Sequence, residues 1–224
     1  MVQPKLQNSG SASSSLDALR ATAAAFGVYA GLLGMEHGFF EALQGNVATK
    51  GPRIMAAGFE LPFPFGHEPA LTLIPNYLAT GFAAMAVGLA IVVWSVGYVH
   101  RKHGAWVLLL LSVTLLLVGG GFGPISLLIV ACVAASGISR PLNFWRNCLP
   151  DALMRLLAAL LPWAMTAALL WVPGEFAAGR FLGLKNDHRQ ILTNLNLMLS
   201  YPMLALFVLT LIAGFAREVG RHRE

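Results

Sequence analysis

The chain has 224 residues, of which 57% are apolar and 11% charged, with 15 Lys and Arg against 10 Asp and Glu for a net charge of +5. An ordinary soluble domain carries about 25% charged residues, so this composition cannot clothe a water-soluble globule and suits a chain whose solvent is lipid. The cations flank apolar runs instead of forming one stripe, which fits topology signals and anionic headgroups and argues against nucleic acid as a partner.

Residues 1–19 are polar and Ser-rich and lack the charged-then-apolar layout of a secretory signal. They read as a disordered cytoplasmic tail, with the first span retained. A bilayer core takes about 20 apolar residues in helix. Lipid leaves the backbone only a helix or a closed barrel, and unbroken apolar runs without alternation exclude the barrel. Spans are expected at 23–43, 77–99, 103–120, 124–142, 153–172 and 191–215. The fold class is therefore an all-α, polytopic transmembrane helix bundle. Its six-helix membrane domain covers 20–216, followed by a basic cytoplasmic tail at 217–224.

The first span carries Gly27, Gly31, Gly34 and Gly38. At about 100° per residue they share one narrow face, and small-residue faces let helix backbones approach closely in membranes. His37 and Glu41 flank that face one turn apart, an i, i+4 pair able to touch, while Glu36 points away. Ionisable groups inside a span are costly and mark a pathway or a site. The plainer role is a hydrogen-bonded pair that fixes a neighbouring helix.

The connector at 44–76 carries Pro62, Pro64, Pro69 and Pro75 among aromatics. So long a connector without evident secondary structure is functional or disordered, and its apolar content favours folding back over the outer mouth of the bundle or dipping into the membrane. The basic turn His100-Arg101-Lys102-His103 reads as a topology anchor at headgroup depth.

The run Gly119-Gly120-Gly121-Phe122-Gly123-Pro124 interrupts a long apolar stretch, either as a break in one helix or as a tight turn between two short spans. Charge decides. With a hairpin and the N-terminus inside, the inner side holds Lys5, Arg20, Arg101, Lys102, Arg140, Arg146, Arg155, Arg217, Arg221 and Arg223. The outer side then holds Lys50, Arg53, Arg180, Lys185 and Arg189, a split of 10 to 5. A single broken span gives 7 to 8, with no bias. Excess Lys and Arg belong inside, so the hairpin is expected, with both chain ends cytoplasmic. Beyond it, residues 140–146 mix aromatic and basic residues suited to the inner interface. Pro162 and Pro202 sit inside the last two spans, where they kink a helix with or without a moving part. Cys132 and Cys148 have no metal or disulfide spacing.

This topology gathers polar groups on the outer side: Glu60, His67 and Glu68 in the long connector, Asn76 opening the second span, Glu175, then Asp187, His188, Asn194 and Asn196 entering the last span. Histidine with carboxylate suits zinc or iron. Without an HExxH-type spacing, however, no metal site is assigned, and His37, Glu41 and His67 are only weak candidates. No phosphate-binding glycine loop, serine elbow or haem attachment motif occurs.

The segments Glu36-His37-Gly38-Phe39-Phe40-Glu41-Ala42-Leu43-Gln44-Gly45-Asn46, Glu68-Pro69-Ala70-Leu71-Thr72-Leu73-Ile74-Pro75-Asn76 and Gly119–Pro124, in that order, resemble a family of multi-span bacterial and archaeal membrane proteins of unassigned activity. The resemblance implies that the long connector, the first span and the glycine hairpin form one unit. It brings no cofactor, substrate or catalytic residue.

The leading expectation is a plasma-membrane protein with an outward-facing polar pocket. Its candidates are Glu36, His37, Glu41, Glu60, His67, Glu68, Asn76, His188 and Asn194, and it would bind or move a small solute or proton. A metal-dependent intramembrane enzyme is the alternative from another class. A non-catalytic membrane subunit or assembly factor, offering the glycine face to a partner subunit or a second copy, is the third.

Overall fold

The computed structural model describes residues 17–55, 69–138, 140, 142–181 and 189–221. They fold as α1 (Ala18–Leu43), β1 (Arg53–Met55), β2 (Pro69–Leu71), α2 (Tyr77–Gly97), α3 (Gly104–Leu117), α4 (Phe122–Gly137), α5 (Asn143–Cys148), α6 (Asp151–Phe181) and α7 (Arg189–Arg221). Four of these helices, α1, α2, α6 and α7, are long and apolar enough to cross a membrane. Apart from two short strands, the described residues are helical, which suits a helical membrane protein. At 1.5 Å per residue, α3 with 14 residues and α4 with 16 reach about 21 and 24 Å. Both fall short of a hydrocarbon core of roughly 30 Å.

α1 is the hub, packing against α2, α4, α6 and α7, while α3 lies between α2 and α4. Its buried residues recur at helical spacing, from Leu19, Thr22 and Phe26 through Ala30, Gly34, His37 and Glu41. The core closes with Phe26 edge-on to Phe207 at 5.7 Å and Trp145 stacked on Phe215 at 4.9 Å. Large apolar side chains such as Trp163, Leu110 and Phe82 face outward, as expected where the surrounding solvent is lipid.

The glycine face of α1 is met from within the chain. A Cβ at Gly31 would stand 2.7 Å from the Gly88 carbonyl oxygen, and one at Gly38 would stand 2.5 Å from that of Gly81. The two backbones therefore touch at two levels one heptad apart on α2. Gly27 abuts Ser95, and Gly34 takes the Leu115 side chain of α3.

Chain direction follows from these contacts. Gly119, after α3, lies against Glu41 near the end of α1, whereas Gly137, ending α4, lies against Leu19 near its start. So α3 and α4 form an antiparallel hairpin running the length of α1. Its tip defines one end of the bundle, the hairpin end. The opposite, terminal end holds both described chain ends: Leu19 N donates to Glu218 Oε2 at 3.4 Å, and Asp17 pairs with Arg221.

Several expected boundaries move. α1 starts at Ala18 and not at 23, because Leu19 is fully buried and its amide is capped by Glu218. Asp17–Leu19 thus belong to the fold and not to the tail. α7 continues to Arg221, past 215, because Ala216 and Val219 pack on Met154. α6 runs through Pro173, where 172 was the expected end. α3 and α4 stop at Leu117 and Gly137, before 120 and 142.

The connector at 44–76 contains structure that periodicity does not reveal. β1 and β2 pair antiparallel, Ile54 opposite Ala70, with both side chains buried. The strand then continues onto the hairpin: Gly119 N donates to Leu71 O and Leu73 N to Leu117 O, each at 2.9 Å.

Candidate functional site

At the last turns of α1, the i, i+4 spacing brings His37 and Glu41 to one buried flank. His37 is 7% exposed and Glu41 0%. His37 Nδ1 lies 2.9 Å from Leu33 O. A carbonyl only accepts, so Nδ1 carries the hydrogen in this contact. Nε2 faces the backbone of Gly121. Glu41 follows one helical turn later on the same buried flank. Among the described residues, neither of its oxygens has a hydrogen-bond partner.

The hairpin tip forms the wall. Gly119 and Gly121 have φ of +98° and +76°, the left-handed region in which a side chain is strained. Each also leaves no room for a Cβ. At Gly119 it would overlap both Glu41 carboxylate oxygens, and at Gly121 it would overlap the His37 ring. The tip is glycine both because it turns and because it is pressed onto these two side chains.

A second polar group backs the wall. Thr80 Oγ1 donates to Val118 O at 2.7 Å and lies 2.6 Å from Thr72 Oγ1, with both threonines buried. Since the Thr80 hydrogen is committed to Val118, Thr72 donates to Thr80. This chain ties the residue after β2, α2 and the hairpin tip together directly beside Gly119.

No protein-family model, curated protein or solved structure matches the chain. The site therefore has to be read from its own chemistry. Of the nine pocket candidates, His37 and Glu41 come together. Glu36, half-buried, lies about 100° round the helix from His37. Asn76 does not line the site: its Oδ1 accepts from Ala79 N at 3.1 Å, capping α2, and its Nδ2 donates to Asn46 at 2.7 Å. Glu60, His67, Glu68 and His188 lie outside the described residues, as does the side chain of Asn194. Among the described residues, no three of His, Cys, Asp and Glu gather as a metal-ligand set.

Among the described residues the arrangement is closed, since Glu41 has no solvent exposure. Sequence reading missed Gly119 and Gly121 as its walls, and Thr72 and Thr80 as its brace. A threonine inside an apolar span was the available signal for Thr80. The glycine face, in turn, is taken by α2 and α3, so a partner helix would have to dock elsewhere.

Proposed function

We propose that the chain is a multi-pass protein of the plasma membrane that crosses six times, with both ends in the cytoplasm. In it, Glu41 and His37 form a proton-exchanging centre near the outer side, working with a proton alone or with a small solute. Four long apolar helices, the antiparallel α3–α4 hairpin, the chain ends at one end of the bundle and the 10-to-5 bias of cations support the topology. The two short helices imply a locally thinned bilayer around the hairpin.

One observation carries the functional reading: a wholly buried carboxylate in a membrane span whose oxygens accept no hydrogen bond from the described residues. An isolated carboxylate anion in such surroundings is costly. It needs a proton, or a donor brought by a ligand. His37, held through Nδ1 with Nε2 at the hairpin wall, is a second proton acceptor one turn away.

The test is proton flux. Full-length protein is reconstituted into liposomes with an entrapped pH-sensitive dye, under a pH gradient with the membrane potential clamped. Wild type should dissipate the gradient faster than empty vesicles, and Glu41→Gln, if it elutes as the same folded species, should not. Wild-type rates equal to those of empty vesicles, or unaltered rates in Glu41→Gln, would overturn the reading.

A further inference from the structure

At the terminal end of the bundle, away from Glu41, the α2–α3 turn, α3 and α4 line a groove of about 540 Å³. That volume is within the range of small-molecule sites, about 300–1,000 Å³. Its rim is basic: His100, Arg101 and Lys102 from the α2–α3 turn, and Arg140 after α4. Among the described residues, no Asp or Glu lines it. Its wall is apolar and includes Leu109 and Trp106, the latter 68% exposed on the outer surface of α3.

The turn bearing the cations is braced. Trp94 Nε1 donates to Gly104 O at 3.0 Å, Trp94 stacks on Tyr98 at 5.2 Å, and the Arg101 guanidinium sits over the Tyr98 ring at 4.9 Å. A basic rim above an apolar wall that opens sideways to lipid matches an amphiphile with an anionic head.

We propose that this groove binds one anionic phospholipid. Its phosphodiester is held by Arg101, Lys102 and Arg140, and one acyl chain lies along Leu109 and Trp106. A zwitterionic lipid offsets the charge complementarity with its own cation, and a free phosphate leaves the apolar wall uncovered. The groove is separate from the Glu41 centre, and the proposal does not depend on proton movement.

The experiment uses the full chain in detergent, titrated with phosphatidylglycerol carrying brominated acyl chains. Quenching is read as the component lost in Trp106→Phe. Phosphatidylglycerol should quench at a lower concentration than brominated phosphatidylcholine. Neutralising Arg101, Lys102 and Arg140 to Gln should raise the half-quenching concentration by about fivefold per cation. Ser136→Phe, which fills the groove from an exposed position and keeps every charge, should also weaken quenching. Lys50→Gln with Arg53→Gln, at the hairpin end, should leave it unchanged. Equal quenching by the two lipids would overturn the proposal, as would an equal loss in the Lys50/Arg53 variant. Displacement by glycerol 3-phosphate as effective as by the lipid would also overturn it, in favour of a soluble-phosphate site.

Discussion

At Gly119 two demands coincide: a left-handed backbone and a neighbour, Glu41, that occupies the space of a Cβ. Left-handed geometry alone costs an L-residue roughly 1–2 kcal/mol, so Gly119→Ala should destabilise by more than that in thermal or denaturant unfolding. Pairing it with Glu41→Ala should recover part of the loss. The expected coupling is about 1 kcal/mol, and strictly additive effects would mean the carboxylate is not where it is placed. Glu41→Gln, by contrast, should cost less than about 1 kcal/mol, because no described hydrogen bond is lost. A larger loss would return the residue to the plainer role of a structural anchor. His37 and Glu41 were legible as a pair because their spacing is local. That Gly119 and Gly121 press on them was not, since 78 residues separate Gly119 from Glu41 in the chain and no periodicity joins them.

The α1–α2 interface was half legible. Four glycines at 27, 31, 34 and 38 announce a packing face on α1, but their partners Gly81 and Gly88 stand seven apart in a helix otherwise rich in larger apolar residues. Gly88→Leu should drive the two helices apart, since a side chain there meets the Gly31 carbonyl and Met35. Loss of the monodisperse folded species in size-exclusion chromatography is the expected outcome. Gly97→Ala is the matched control: nothing lies within 4 Å of its missing Cβ, so its thermal midpoint should hold or rise. Helix ends were read less well than helix existence. The last turns of α7 stay helical because Ala216, Glu218 and Val219 are buried at the bundle's terminal end, a tertiary cause that local hydropathy does not carry.

Over the whole molecule, the sequence pattern showed the class and the hairpin but not the small sheet, whose strands of three residues pair across an intervening stretch and then join the hairpin tip. Orientation is testable directly. In a background with Cys132 and Cys148 replaced, a cysteine at position 50 should react with an impermeant thiol reagent in intact cells. One at position 101 should react only after permeabilisation. The reverse pattern would invert the assignment of sides and place Glu41 near the cytoplasm.

The backbone bonds from Leu71 and Leu73 to the α3–α4 tip have a kinetic corollary. Those two hydrogen bonds hold the tip against the acidic side chain from separate stretches of chain, so opening that wall is expected to release both together instead of needing only a side-chain flip. Deuterium uptake at the amides of Leu73 and Gly119 should then proceed in step, and exchange at one well ahead of the other would show that the wall opens piecemeal.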